Sequence, residues 1–214
     1  VTETGEQPMS EQPDEEGLIS EKGWIKVDFD KEIWIPCPPG FPEGMDRESW
    51  AARYARIWWE SSGLKHGERQ IRALAEALAE IHLATYGHLP CHLALIHLRS
   101  PRDVPLLVCF GIWPAIGDRD TQIRAMSGAD ETRAMEPPIV EEFPTANLGD
   151  GLKALNYFRD KGTVMGALAY AWRSEEYETA VRLFTSCPDL GRLQGTFGDL
   201  DDLARVIQVV PRTQ

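Results

Sequence analysis

The sequence predicts an α+β fold, an antiparallel β-sheet with helices packed on its faces, and three observations carry that expectation. The stretch from Pro90 to Trp113 holds two apolar runs of strand length joined by a turn-rich segment with two prolines. Both faces of each run are apolar, as suits strands covered on two sides. A central hairpin of about 91–98 and 106–113 is therefore expected. Two amphipathic helical patterns precede it, and a series of alternating strands follows. Helices grouped apart from strands point to α+β rather than to alternating βαβ units.

Taken in order, residues 1–22 are rich in Glu, Gln, Pro, Ser and Gly and poor in large apolar side chains. Seven acids (Glu3, Glu6, Glu11, Asp14, Glu15, Glu16 and Glu21) face Lys22 alone, giving a local charge of −6. Such a segment has too little apolar surface to offset its ordering entropy, so a disordered acidic leader is expected there. Residues 23–214 are expected to form a single α+β domain. It opens with WIKVDF and EIWIP, which read as a hairpin turning at Asp30-Lys31. The prolines and glycines of CPPGFPEG then exclude helix.

Asp46 is placed to cap a helix carrying Trp50, Tyr54, Ile57 and Trp58 at helical spacing, which Gly63 ends. A second helix is expected from about Glu68 to Thr85, with a stripe of Ile71, Leu74, Ala75, Leu78 and Ile81. After the central hairpin, residues 114–138 mix acids, arginines and glycines without clear period and read as a long functional or mobile loop, with room for a short helical turn within it. IVEEF, LKALNYF, TVMGALAYAW and TAVRLFTS follow as strands, the middle two joined at Arg159-Asp160-Lys161-Gly162. Asp199 is expected to cap a terminal helix with an apolar stripe of Leu200, Leu203, Ala204 and Ile207.

The segments FPEGMDRESWAARYARIWWE, PRDVPLLVCFGIW, AYAWR and DLDDLAR, within residues 24–208, resemble those of uncharacterised proteins of high-GC bacteria. Their element order is similar to the PsbP-like fold, an antiparallel sheet with helices on both sides. The resemblance implies a non-enzymatic binding or assembly factor and places no binding residue on this chain.

Composition narrows the function. A formal charge of −12 argues against nucleic acid or an anionic membrane surface as partner. No apolar run approaches the length needed to span a bilayer, and the acidic start lacks a secretory pattern, so a cytoplasmic protein is expected. Four scattered cysteines without CxxC spacing read as reduced core residues. In the expected hairpin, Cys91 and Cys109 lie too far apart along the strands to be bridged.

No GxSxG, phosphate-binding glycine loop or metal-ligand spacing occurs, and no cofactor or metal is expected. His82, His88, His92 and His97 crowd one region, but His92 and His97 should face opposite sides of a strand. Cys37 sits in a rigid Pro-Cys-Pro-Pro turn with nothing evident to activate it.

The excess is in tryptophan, with seven. Trp59 is turned about 100° from Trp58, so it should border the stripe or face outward. Trp113 leads into the polar loop. Trp59, Trp113 and the loop residues Asp118, Arg119, Asp120, Arg124, Asp130 and Glu131 are therefore the candidate contact surface of a non-enzymatic protein-binding module, a basic partner fitting the acidic charge. The alternative is a small apolar or aromatic ligand held between sheet and helices. An enzyme is the third reading.

Overall fold

The structure, a computed structural model, describes residues 20–88 and 91–212. Nineteen of the 22 residues of the expected leader lie outside that range. Ser20 to Lys22 do not behave as leader. Ser20 is buried with its hydroxyl 2.6 Å from Thr179 Oγ1, and Lys22 O accepts from Arg212 N.

The elements run β1 (Gly23–Val27), β2 (Trp34–Cys37), α1 (Arg47–Ser61), α2 (Glu68–His88), β3 (Leu93–His97), β4 (Leu106–Pro114) and α3 (Arg119–Ser127). They continue with β5 (Ile139–Glu142), β6 (Gly151–Asp160), β7 (Thr163–Ser174), β8 (Thr179–Cys187), α4 (Leu190–Gln194), α5 (Phe197–Arg205) and β9 (Ile207–Pro211). Seven strands form one antiparallel sheet in the order β2-β3-β4-β8-β7-β6-β5, and β1 pairs with β9 in a separate two-stranded sheet. The fold is α+β, as the sequence predicts.

The hairpin β3–β4 forms, with Ala94 opposite Cys109 and Leu95 opposite Val108. It is not the centre of the sheet; β8 is. The expected hairpin between the first two strands is absent. β1 pairs with β9 over Gly23↔Pro211 to Val27↔Ile207, while β2 pairs with β3. Alternation showed that both segments are strands, but pairing across nearly the whole chain leaves no local signature. The turn at Lys161-Gly162 is local and does form. Both residues have positive φ (45° and 90°), as a two-residue turn between strands twisted in the right-handed sense requires.

One row of residues crosses all seven strands on one face: Cys37, Ala94, Cys109, Phe184, Ala169, Ala154 and Val140. Helices α1 and α2 cover its β2–β4 end through Trp50, Ala51, Ala55, Trp58, Leu74 and Leu78. Helix α3 covers β6 and β7 at the other end. The opposite face, with Leu95, Val108, Phe110, Leu168, Tyr170, Trp172 and Leu183, packs against α4, α5 and β9.

Asp46 caps α1 as expected, its carboxylate accepting from Ser49 N at 2.8 Å. Two expectations change. The long polar loop contains more than the short helical turn it had room for: the nine-residue α3, capped by Asp118 and closed by Gly128 in the left-handed region at φ 75°. Nor is Asp199 a cap, because α5 starts at Phe197 after Thr196 and Asp199 lies within its first turn. All four cysteines are free, yet Cys91 and Cys109 are neighbours rather than separated. His92 N bonds Phe110 O while Leu93 is the residue paired with Phe110, so two residues face one and the extra one on this strand brings Cys91 towards Cys109.

Candidate ligand groove

Trp59 does not face solvent. Trp58 points at the sheet and donates from Nε1 to Leu98 O at 2.8 Å, and Trp59, the next residue, points at α2 and donates to Gln70 O at 3.2 Å. A helix packed on both a sheet and a second helix buries two faces, so the 100° offset leads to a second interface. Trp59 is 5% exposed, and the contact surface expected around it loses that anchor. Trp113 is half-buried, its ring folded over Gly111 and set edge-on to His92 at 5.8 Å.

The remaining candidates cluster on α3 and the turn after it, far along the chain from Trp59. Asp118 caps the helix through Thr121 N, and hydrogen bonds with Thr121 hold its carboxyl below the usual range. Arg119 donates to Asp150 O at 2.7 Å. Arg124 pairs with Asp130, and Arg133 with Glu131. Arg119, Asp120 and Arg124 line a cleft of about 440 Å³ with Glu142, Asp150 and Leu152. Charges of both signs are interspersed there, and Arg119, Asp120 and Arg124 all have partners on the protein.

The other flank of α3 differs. Between α3 and the part of the sheet covered by α1 and α2, the central strand β8 is left open. A groove of about 340 Å³ lies there, and Ala167 and Ala169 form its floor with Phe158 and Phe184 as its aromatic surface. Ser127 and Gly128 form the helix side, and Glu131, Arg133 and Arg159 also line it. The hollow follows from sequence. Small residues on β7 opposite Phe184 and Arg182 leave room that larger side chains would fill.

Two polar atoms in this groove are buried without a hydrogen bond among the described residues: Arg182 Nε and Asn156 Oδ1. Asn156 is 8% exposed and anchored by Nδ2 donating to Gly128 O at 3.2 Å, which turns its oxygen away from that carbonyl. Arg182 forms no ion pair with a described carboxylate. Glu131, the groove's one acid, is held by Arg133. The Arg182 guanidinium lies over the Phe184 ring, 4.6 Å from its centroid. Burial presses its pKa below the ordinary arginine value. The alternation Ala180-Val181-Arg182-Leu183-Phe184 carried the signal, an arginine on a strand apolar on both faces.

A second polar cluster lies on the opposite face. His97 is fully buried, with Nε2 2.7 Å from Asp199 Oδ2 and Nδ1 2.8 Å from Arg192 Nη2. Arginine can only donate, so Nδ1 accepts and Nε2 donates to the carboxylate. Arg99 grips the same carboxylate with two nitrogens. Burial acts to raise Asp199, but hydrogen bonds from Arg99 and His97 outweigh it and hold the carboxyl below its usual range. With both ring nitrogens engaged, this His–Asp pair cannot take up a substrate proton without breaking the Arg192 bond. It is a strut between β3, α4 and α5.

No protein-family profile and no curated protein matches this chain. Among solved structures, the chain is similar to the crystal structure of LpqN, described as involved in cell envelope biogenesis of Mycobacterium tuberculosis, with a TM-score of 0.46 and 8% identity over 88% of this chain and 84% of that one. A likeness at that level carries no argument about function, and the PsbP-like order remains a resemblance. No described helix is long and apolar enough to cross a membrane.

Proposed function

We propose that the protein is a non-enzymatic binding protein that holds a small organic molecule in the groove between α3 and β8. The observation that carries this reading is the concave, alanine-floored hollow with buried polar atoms left unpartnered inside it. A well-formed interior pairs more than nine in ten of its buried polar groups, so two of the three exceptions among the described residues falling on one cavity point to a missing partner. Filling the floor tests it. In 15N-labelled protein, binding of aromatic fragments should shift amides at Ser127, Gly128, Asn156 and Phe184, and Ala169→Leu should abolish those shifts. Shifts confined to other surfaces, or unaltered in the filled variant, would sink the reading.

Protein contacts remain a second reading, supported by a different feature. Strand β5 is a sheet edge, exposed at all four residues, and displays Ile139 and Val140 beside Glu141 and Glu142. An extended basic segment of a partner could add to that edge. Val140→Pro would abolish such binding while leaving the groove intact.

A further inference from the structure

We infer that the ligand of the groove is a small organic acid whose carboxylate pairs with Arg182, an inference that rests on the groove being the binding site.

An arginine without a partner is costly to bury. A guanidinium carries five N–H donors in one plane and cannot shed its charge at physiological pH. Stacking on Phe184 satisfies the face of the guanidinium, since a cation over a ring is attracted to its π-cloud. It does nothing for the donors in the plane, and Nε is buried without a hydrogen-bond partner among the described residues. Gly111 and Ala171 flank Arg182 on the neighbouring strands, so nothing adjacent in its row can accept a hydrogen bond from a side chain. A buried charge persists when something compensates it, and a bidentate carboxylate matches the fork of donors.

The surroundings have the same sign. Arg133, Arg159 and Arg182 line the groove against Glu131 alone, in a protein of formal charge −12. A positive hollow in an acidic molecule concentrates anions there and nowhere comparable on the mixed-charge flank of α3. Phe158, Phe184 and the alanine floor suit an apolar or aromatic body. The volume of about 340 Å³ is at the small end of ligand sites, which favours a compact acid. Asn156 Oδ1 faces a different demand, a donor, which a hydroxyl on that body would meet.

The test uses the full chain and matched pairs of probes: benzoate, phenylacetate and 3-phenylpropionate, each against its primary amide, by isothermal titration with 15N shift mapping. At least one acid should bind tenfold or more tighter than its amide, at groove resonances. Affinity should weaken with added salt, and Arg182→Met should abolish the preference. The acid–amide comparison on the wild-type chain stands even if that variant folds poorly. Acids and amides binding equally at groove resonances would overturn the carboxylate assignment and leave the groove reading intact. Shifts from inorganic phosphate but from none of the acids would also overturn it. Failure of every acid and amide to bind at millimolar concentration would overturn both readings.

Discussion

His97 and Asp199, 102 residues apart in sequence, meet through a 2.7 Å hydrogen bond that closes the sheet onto the C-terminal helix. Burial, with Arg192 and Arg99 nearby, presses His97 below its ordinary value of 6.5 despite the carboxylate. A histidine depressed in the folded state binds its proton more readily when unfolded. Its contribution to stability is therefore complete above about pH 6.5 and shrinks as pH falls below that. Asp199, depressed too, adds a second loss as pH falls below about 3.8 towards its folded value. Urea denaturation between pH 8 and pH 5 should show stability falling with acid, and His97→Gln should flatten that slope.

Asp199→Ala should be among the most damaging single changes in the chain. It would leave His97 Nε2 as a buried donor without an acceptor and release Arg99. Breaking a buried pair from one side costs on the order of 3 kcal/mol. Asp202→Ala, at an exposed pair with Arg205, should cost about 0.5 kcal/mol or less. Urea midpoints at pH 7.5 compare the two directly.

Arg182→Met should stabilise the ligand-free protein. The change removes an unpaired, partly buried charge and keeps the length of the apolar stem, so a gain of about 1 kcal/mol is expected. Residues kept for binding commonly lower stability in this way. A raised thermal midpoint together with lost acid binding would separate function from fold. A lowered midpoint would make Arg182 a structural residue.

Gly111 and Gly151 are both spaces occupied by tryptophan. A Cβ at Gly111 would come within 1.8 Å of the Trp113 ring, but Trp113 is half-buried and has solvent to move towards. A Cβ at Gly151 would meet the fully buried Trp172 ring at 2.3 Å and the Ala171 carbonyl oxygen at 2.7 Å. Gly151→Ala should cost roughly 3 kcal/mol, the upper range for overpacking, and Gly111→Ala about 1 kcal/mol. Near-UV circular dichroism should register the displaced ring in both variants.

Lys161 sits at φ 45° in the β6–β7 turn. Lys161→Asn would give the Asn-Gly pair that this turn type favours and should raise stability by a few tenths of a kcal/mol; Gly162→Ala, at φ 90°, should lower it by about 1 kcal/mol. Thermal melts of both variants check the pair.

By itself the sequence determined what is written in near neighbours. Asp46 before a periodic run specified α1, the stripe from Ile71 to Ile81 specified α2, and turn residues flanking apolar runs specified β3 through β8 within a few positions. These features follow from backbone sterics and local hydrogen bonds, which act over a few residues. The helix α3 was obscured because its burial rests on Ile123 and Ser127 alone among its nine residues, too few to set a visible period.

The tertiary structure decided everything that depends on which surfaces meet. Pairing of β1 with β9, burial of Trp59 against α2, and capture of Asp199 by His97 and Arg99 join residues far apart in the chain. Chain closure over such distances leaves no local trace in residue order. The groove belongs to the same class. Ala167, Ala169 and Phe184 are ordinary strand residues in sequence and Arg182 stands out only as a charge on an apolar strand; the register of β7 on β8, with helices placed to either side, makes them the floor and anchor of a cavity.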